Sequence, residues 1–506
     1  MSLLGIDVGT SGCKSAVFSE EGRLLSSAYE EYDCQRPQPG WAELDALAVW
    51  ESIKRTIQTA CKGVRSGRTS RRPSFSNDSI RALCVSSLGE AVVPVTANRQ
   101  ILGPSLLNFD SRGDEYLPGL RQAFSDEQLY GLNGNTLGNH YSLPKLLWIK
   151  NHQPELYRQA DYFLHWGGFV SFMLGADPAV DYSLANRSLL FDLSRKDWSD
   201  LLLDHAGIER SKLPPAYPAG RVIGALARLM ADELGLDDGL PIVLGGHDQC
   251  CNAVGCGVIR PGQVMYGLGT YICAVPVFDR QPDPSAMISQ GLNTEHHVVP
   301  GQLVSFIYNQ GGSLVKWFRD TFASVERQQN PDLYPALMAE MPAGPSRVLA
   351  LPHFTATGPP QFISDSCGVV AGLYLDTPRG EILKGLIESA TFYLRECFEA
   401  MPEEIRISDF RAVGGGSKSD AWLQISADIL GKPFIRPQVN EAGALGAAIL
   451  AGAGSGVFPS IQAGAQAMVK LEKTFAPHPA MQKRYDERFE KYKRLWPLME
   501  EYLRGW

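Results

Sequence analysis

The feature that most constrains the fold of this chain is an internal repeat. Residues 3–18, LLGIDVGTSGCKSAVF, resemble residues 261–278, PGQVMYGLGTYICAVPVF. Both copies alternate apolar and polar residues around a Gly-Thr turn (Gly9-Thr10 and Gly269-Thr270) and end in an apolar segment with phenylalanine at the same offset. This pattern predicts two β-hairpins. Because the period is so long, the repeat favours duplicated domains over a solenoid.

The length and the order of the elements agree with a duplicated chain. The chain has 506 residues, more than a single hydrophobic core usually organises. Strand and helix patterns alternate along it, which predicts an α/β protein. We expect an N-terminal domain over 1–244 and a C-terminal domain over 245–506, with both hairpin tips facing a central cleft. Ligands commonly bind between domains, so this cleft is the expected site.

Composition excludes several classes of protein. The net charge of −8 and the pI near 5.7 argue against a nucleic-acid partner. The sequence contains neither a secretory signal nor an apolar run of membrane-spanning length, so we expect no membrane partner. Its ten cysteines form no CxxC pair, which favours free thiols in a reducing cytoplasm and a cytoplasmic protein. The basic, serine-rich stretch 62–78 is interpreted as a solvated loop, with an anion or partner patch as the alternative.

The first hairpin carries residues suited to phosphate and metal. The turn Gly9-Thr10-Ser11 exposes backbone N–H groups and hydroxyls that can bind an anion. Asp7 precedes this turn, where a carboxylate could hold Mg²⁺ directly or through water. Lys14 on the return strand either adds positive charge near the phosphates or faces solvent. Any tight hairpin could carry a DxGT sequence, so this motif alone is a weak indication of phosphate binding. The second Gly-Thr turn, at Gly269-Thr270, strengthens the prediction.

The segment 241–256, PIVLGGHDQCCNAVGC, predicts a catalytic carboxylate. A hydrophobic strand ends in two glycines and is followed by His247 and Asp248. A carboxylate at the carboxyl end of a strand faces a ligand site in α/β folds, and Asp248 could accept the proton of an attacking hydroxyl. The alternative is that Asp248 is a helix N-cap, and the two roles can coexist. His247 is interpreted as structural or substrate-contacting.

Two glycine-rich segments lie near the C-terminus. In 411–434, RAVGGGSKSDAWLQISADILGKPF, a strand leads into a glycine turn and a helix from about Asp420. Such a turn lets a flat ring or a phosphate approach the backbone at a helix N-terminus, although an ordinary β-to-α loop would look similar. Residues 440–452, NEAGALGAAILAG, predict a helix of small residues that packs closely against another backbone or a nucleotide.

Together these motifs resemble the FGGY carbohydrate kinases, in the order found in that family: DVGTSG, GGHDQ, GLGTY, GGGSKSDAWLQISADILGKP and EAGALGAA. Residues 145–155, KLLWIKNHQPE, and 368–389, GVVAGLYLDTPRGEILKGLIES, resemble its two signature segments. The resemblance covers essentially the whole chain. It implies an actin-like ATPase (ribonuclease H-like) fold with two duplicated domains, and the use of ATP and Mg²⁺ to phosphorylate a small sugar or polyol.

The resemblance also implies a role for each matching residue. It makes Asp7 the Mg²⁺-associated carboxylate and Asp248 the catalytic base, which also contacts the sugar. The other implied contacts fall into three groups: phosphates at Gly9, Thr10, Ser11, Gly269 and Thr270; the adenosine pocket at Gly415, Gly416 and Asp420; and the sugar at Glu90, Asp110 and Arg112. For Asp110 and Arg112 the alternative is a local ion pair in a loop.

Departures from the family pattern concern the acceptor. Asn108 stands where the family often has Trp, and Tyr271 replaces a small hydroxyl residue. Residues 86–93, SSLGEAVV, lack both the Met-His pair of xylulose kinases and the Arg-Glu pair of glycerol kinases. We expect phosphorylation of a ketopentose such as xylulose. The alternatives are a sugar acid, a tetritol, glycerol or another ketose as substrate, an actin-like ATPase without sugar kinase activity, and an inactive sugar-binding regulator.

The C-terminal segment, residues 481–506, shows helical spacing of aromatic and leucine residues. This spacing favours a packed terminal helix. The alternative is a contact in a homodimer.

Overall fold

The computed structural model describes residues 1–66, 79–330, 332–439 and 441–505. Most of the basic stretch 62–78 lies outside these residues. The described chain forms two compact units: the first contains 1–259, 294–304 and 441–470, and the second contains 260–293, 305–440 and 471–506. The boundary between 244 and 245 stays a prediction about domains.

Strands and helices alternate along the chain. The strands are β1 (Ser2–Val8), β2 (Gly12–Ser19), β3 (Leu24–Glu31), β4 (Glu43–Leu44), β5 (Ile80–Ser87), β6 (Val92–Val95), β7 (Ser105–Leu106), β8 (Tyr162–His165), β9 (Val180–Asp181), β10 (Phe191–Asp192), β11 (Asp197–Trp198), β12 (Ala216–Tyr217), β13 (Val222–Ala225), β14 (Pro241–His247), β15 (Gln263–Leu268), β16 (Tyr271–Phe278), β17 (Glu295–His296), β18 (Leu303–Val304), β19 (Ile307–Gln310), β20 (Leu349–Leu351), β21 (Val369–Ala371), β22 (Asp409–Val413), β23 (Phe434–Pro437) and β24 (Leu471–Phe475).

The α-helices are α1 (Ala46–Ser66), α2 (Leu117–Ala123), α3 (Asp126–Asn133), α4 (Ser142–His152), α5 (Pro154–Gln159), α6 (Trp166–Leu174), α7 (Tyr182–Asn186), α8 (Asp200–Ala206), α9 (Arg228–Leu234), α10 (Asp248–Gly255), α11 (Pro284–Ser289), α12 (Gly312–Phe322), α13 (Ser324–Gln329), α14 (Tyr334–Ala339), α15 (Arg379–Glu399), α16 (Asp420–Leu430), α17 (Ala442–Gly454), α18 (Ile461–Met468), α19 (Pro479–Tyr492) and α20 (Leu495–Leu503).

The sheet of the first unit has the strand order β13-β14-β5-β1-β2-β3. Strands β1, β2 and β3 form an antiparallel meander, whereas β5 lies parallel to β1 and β14 lies parallel to β5. Because β1, β5 and β14 run in the same direction, their carboxyl ends meet at one edge. Asp7 near the end of β1 and Asp248 just after β14 therefore lie at the same edge of the sheet.

The sheet of the second unit repeats this topology. Strands β15, β16 and β19 form an antiparallel meander, β22 lies parallel to β15, and β23 lies parallel to β22. The order β19-β16-β15-β22-β23 thus corresponds to β3-β2-β1-β5-β14 of the first unit, and β24 adds an antiparallel strand beside β23. The two predicted hairpins and their duplicated setting are confirmed.

A hydrophobic core of the first unit lies between its sheet and helices α1 and α6. The apolar side chains of β1 are fully buried at Leu4, Ile6 and Val8. Helix α17 packs closely on β1: a Cβ on Gly5 would lie 1.8 Å from the carbonyl oxygen of Ala444. The small residues of α17 are therefore required by backbone approach, as the sequence predicts.

The C-terminal helices and the cysteines agree with the sequence predictions. The terminal segment forms α19 and α20, and α19 buries Tyr485, Phe489 and Tyr492, so the packed-helix interpretation is confirmed. All ten cysteines are free. No helix in the described parts of the chain combines the length and the hydrophobicity that crossing a membrane requires.

Candidate active site

The hairpin β1–β2 sets Asp7 and Lys14 directly opposite each other. Ser86 Oγ donates a hydrogen bond to Asp7 Oδ1 at 2.8 Å. Lys14 Nζ forms a short ion pair with Glu441 at the N-terminus of α17. Burial raises the pKa of Asp7, while the Ser86 hydrogen bond and the Lys14 charge oppose that rise. Glu441 is a residue of this cluster that the motif interpretation missed.

The first glycine turn is fixed by a hydrogen bond within its own hairpin and by one from Tyr32, which follows β3. The Gly9 N–H donates to the Gly12 carbonyl at 2.9 Å, and Tyr32 Oη donates to the Gly9 carbonyl at 2.6 Å. Thr10 is partly exposed and Ser11 is exposed. The turn therefore has a fixed backbone and accessible hydroxyls, as a phosphate-binding loop requires.

The surroundings of the Asp7 carboxylate determine whether it could hold a Mg²⁺ ion. Its Oδ2 faces the backbone of α17, where a Cβ on Gly443 would lie only 2.4 Å away. Among the described residues no group of three or more His, Cys, Asp or Glu side chains is arranged to hold a metal. A single, partly buried carboxylate fits Mg²⁺, because this ion prefers oxygen ligands and retains waters, and nucleotide phosphates would supply the remaining ligands.

Asp248 is the first residue of α10 and directly follows β14. The N-cap of α10 is His247, whose Nδ1 accepts a hydrogen bond from the Gln249 N–H at 3.2 Å. The alternative that Asp248 is the N-cap is therefore wrong, because the histidine ring already occupies that position. The Asp248 side chain is 25% exposed and stays available to a ligand.

The electrostatic setting of Asp248 suits a proton acceptor. Burial raises the pKa of Asp248 to about 7, and the negative charges of Asp7 and Glu90 act in the same direction. Burial also lowers the pKa of His247 to about 3, with help from the Arg187 charge, so this histidine is neutral. A carboxyl pKa near neutrality is matched to general-base catalysis at ordinary pH.

Glu90 belongs to a buried ionic network that local motifs did not reveal. Arg187 Nε donates to Glu90 Oε1 at 2.8 Å, and Arg187 Nη1 donates to Glu295 Oε1 at 2.5 Å. All three residues are at most 9% exposed. Burial by itself raises the pKa of Glu90, but the Arg187 guanidinium outweighs it and the pKa falls to about 2. One arginine is thus held between two carboxylates.

Asp110 and Arg112 form a closed ion pair. Asp110 Oδ2 accepts bonds from Arg112 Nη2 at 2.6 Å and from the Ala42 N–H at 2.5 Å, and Arg112 Nη2 also donates to Glu43 at 2.6 Å. The guanidinium lies 4.1 Å from the ring centroid of Trp41. These contacts fit the local ion pair of the alternative interpretation, and a sugar contact for Asp110 and Arg112 stays a prediction.

Helix α4, which contains most of the first signature segment, contacts both the loop of Glu90 and the loop of Asp110 and Arg112. Its Ser142 Oγ donates to the Glu90 carbonyl at 2.5 Å. Three residues later, Lys145 Nζ donates to the carbonyls of Asp110 at 2.5 Å and Arg112 at 2.9 Å. Burial lowers the pKa of Lys145 to about 8. The helix fixes the backbone of both loops.

In the second unit, the turn Gly269-Thr270 lies against the N-terminus of α12. The Gly312 N–H donates to the Gly269 carbonyl at 2.9 Å, and the Ser313 N–H donates to the Thr270 carbonyl at 3.0 Å. These bonds fix the orientation of the turn. Tyr271, the residue that departs from the family pattern, is 44% exposed.

The second glycine segment of this unit forms the predicted strand, turn and helix. Strand β22 leads into a 3₁₀ turn over Gly415–Lys418, and Ser419 caps α16. A Cβ at Gly415 would meet no atom within 4 Å, so a ligand could approach this backbone. Asp420 instead makes ion pairs with Arg436 at 2.8 Å and Lys473 at 2.5 Å. Adenosine contacts at Gly415, Gly416 and Asp420 stay predictions.

Comparison with known proteins assigns the chain to a family. Residues 2–255 match the N-terminal domain of the FGGY family of carbohydrate kinases, and residues 267–455 match its C-terminal domain. The chain belongs to the FGGY family of carbohydrate kinases. It is thus an ATP-dependent carbohydrate kinase, as the motifs predict.

Similar proteins cover nearly the whole chain. An autoinducer-2 kinase of Enterobacter sp. (strain 638) is 28% identical over 97% of this chain and 93% of its own length. The xylulose kinase of Bacillus subtilis (strain 168) is 26% identical over 98% of this chain and 96% of its own length. The crystal structure of xylulose kinase from Rhodospirillum rubrum matches with a TM-score of 0.87 at 25% identity, covering 99% of both chains.

The fold of this FGGY kinase is confirmed as well. A Plasmodium falciparum glycerol kinase structure with ADP matches with a TM-score of 0.86 at 19% identity, over 98% of this chain and 97% of that one. At that identity the likeness concerns the fold alone. The chain has the two-domain, actin-like fold predicted from its sequence.

Proposed function

We propose that this FGGY kinase transfers the γ-phosphoryl group of ATP to a hydroxyl of a neutral ketopentose such as xylulose, with Asp248 as general base. The observation that carries the chemistry is the carboxylate of Asp248, which follows β14 at the sheet edge shared with Asp7. The ketopentose is supported by the similarity to xylulose kinases.

The chemistry needs little more than positioning and one proton acceptor. Asp248 would accept the proton of the sugar hydroxyl as its oxygen bonds to the γ-phosphorus and the bond from that phosphorus to ADP breaks. Gly9, Thr10 and Ser11 would bind phosphate oxygens in the first unit, and Gly269 and Thr270 would do so in the second. Mg²⁺, held near Asp7, would neutralise charge on the phosphates.

The Arg187 network supports a neutral acceptor. Glu90 and Glu295 both bind this buried guanidinium, so its charge is already compensated. Glu90 also acts electrostatically on Asp248, which carries a negative charge whenever it is deprotonated. A sugar acid would bring a carboxylate to a region where like charges face it and desolvation is costly. Among the alternatives, neutral ketoses and polyols are therefore favoured over sugar acids.

A second candidate substrate is autoinducer-2. Autoinducer-2 kinases are 28% identical to this chain over 97% of its length, slightly more than the xylulose kinase of Bacillus subtilis. At such identities the substrate pocket can differ while the fold and the ATP chemistry persist.

A panel of acceptors would test the proposal by coupled ADP release. The panel contains pentuloses, hexuloses, tetritols, glycerol, sugar acids and autoinducer-2, with a sample that lacks any acceptor. We expect xylulose to give the largest kcat/KM and the sugar acids the smallest. ATP hydrolysis at the same rate without acceptor, and with no phosphorylated sugar, would instead favour the actin-like ATPase alternative.

The pH dependence of turnover should report the ionisation of Asp248. The base must be deprotonated to act, and the pKa of Asp248 is raised to about 7. In excess Mg²⁺ we therefore expect kcat/KM to fall by about tenfold for each pH unit below that value. The profile should flatten above it. A profile that is flat from well below neutrality upwards would contradict the role of Asp248.

The substitution Asp7→Asn should weaken the dependence on Mg²⁺. The amide keeps the shape of the side chain and its contact with Ser86, but it removes the charge that attracts a divalent cation. We expect the Mg²⁺ concentration at half-maximal rate to rise about tenfold, close to 1.4 kcal/mol of lost interaction. A Mg²⁺ titration that matches the unmodified enzyme would contradict the assignment of Asp7.

A further inference from the structure

The cross-strand pair Asp7–Lys14 is not joined in the way its charges would suggest. The two residues are register partners in the antiparallel pair β1–β2. Opposite charges directly opposite each other on such strands normally attract and pair. Lys14 Nζ instead binds Glu441 Oε2, although these residues are 427 positions apart in the sequence.

Glu441 is placed so that it can hold Lys14. It immediately precedes α17, the helix whose Gly443 lies against Asp7 Oδ2. The helix thus brings a carboxylate to the ammonium group and a bare backbone to Asp7. The side chains of Lys14 and Glu441 are 26% and 24% exposed, so the pair is only partly screened by solvent.

We propose that Glu441 is a positioning residue that holds the Lys14 ammonium on itself and so leaves the charge of Asp7 available to the Mg²⁺ of the nucleotide complex. The inference rests on the proposed function, because it needs Asp7 near the cation. In this arrangement Lys14 is a charge-compensated support of the hairpin.

The consequence of losing Glu441 follows from the register. Without its partner, Lys14 would pair with the carboxylate directly opposite, and a cation would have to displace that ammonium. Nucleotide binding would then gain less from Mg²⁺. Nucleotide binding without Mg²⁺ should stay close to that of the unmodified enzyme, because no cation then has to displace the ammonium.

The experiment compares ADP binding with and without the cation. The dissociation constant of ADP is measured by isothermal titration calorimetry in EDTA and in excess Mg²⁺. The readout is the ratio of the constant in EDTA to the constant in Mg²⁺, which is large when Mg²⁺ strengthens binding. We expect Glu441→Gln to reduce this ratio about fivefold, as for one partly buried charge pair across two strands. The double variant Lys14→Met/Glu441→Gln should restore it, because the competing ammonium is gone.

A charge-matched variant separates position from charge. Glu441→Asp keeps the negative charge but is one methylene shorter, so it should hold Lys14 less well and reduce the ratio partly. A wild-type ratio in Glu441→Asp would overturn the positioning role. An equal weakening of ADP binding in EDTA and in Mg²⁺ by Glu441→Gln would do the same, because it would indicate structural damage alone.

The substitution Asp7→Asn shows whether a negative result refutes the role of Glu441 or the assignment of Asp7 to Mg²⁺. If Asp7→Asn lowers the ratio and Glu441→Gln does not, the positioning role of Glu441 is refuted while the metal assignment stands. If Asp7→Asn leaves the ratio unchanged, the metal assignment itself fails, and the inference fails with it.

Discussion

The substitution Asp248→Asn is expected to lower kcat for sugar phosphorylation by about 10²- to 10⁴-fold, the range of general-base effects. The amide cannot accept the proton of the sugar hydroxyl, although it has almost the same shape. Asp248 begins α10 and follows β14, so the backbone should not move. The rate is measured by coupled ADP release with the best acceptor of the panel.

Binding measurements make this prediction specific. ADP affinity of Asp248→Asn should stay within about twofold of the unmodified value, since the side chain is assigned to the acceptor. Asp126→Asn is the matched control, because Asp126 is also the first residue of a helix, α3. The control should keep full activity. Near-normal turnover in Asp248→Asn would show that another group is the base.

The substitution Gly446→Ala is expected to destabilise the protein by about 3 kcal/mol, at the upper end of overpacking effects. An added Cβ would lie 1.9 Å from the carbonyl oxygen of Cys251. Gly446 lies in α17 and Cys251 in α10, and these helices pack tightly, so the backbone of one of them must shift. Because α10 also begins with Asp248, the shift should reduce activity as well. The change is measured from the midpoint of denaturant unfolding.

Gly131→Ala is the control for Gly446→Ala. Gly131 lies in α3, is exposed, and a Cβ there would meet no atom within 4 Å. Alanine should stabilise this helix by up to about 1 kcal/mol through its higher helix propensity. If both substitutions shift the unfolding midpoint in the same direction and by similar amounts, close packing of α17 is not the reason for its glycines.

The parts of the fold and site that are local in sequence were predictable. Alternation around a glycine turn predicts both hairpins, and an apolar segment before GGHDQ predicts the strand that ends beside Asp248. The small residues of α17 predict close packing, because a bulky side chain cannot lie between two backbones. Each of these signals is carried by neighbouring residues.

The ionic partners were not predictable from such signals. Arg187 lies 97 residues from Glu90 and 108 residues from Glu295, and no local spacing relates them. The Lys14–Glu441 pair depends on where the end of the chain returns to the first hairpin. The local sequence around Asp110 and Arg112 is the same whether these residues bind a sugar or each other. Their additional bonds to Ala42 and Glu43 show how fully they are paired, and these bonds are visible only in the structure.

The return of residues 441–470 to the first unit has a consequence for biosynthesis. The face of β1 that α17 covers is made at the start of translation, whereas its cover leaves the ribosome more than 400 residues later. A nascent chain must keep this strand from aggregating throughout that interval. We therefore expect fragments that stop before α17 to depend on chaperones, even though they contain the complete central sheet of the first unit.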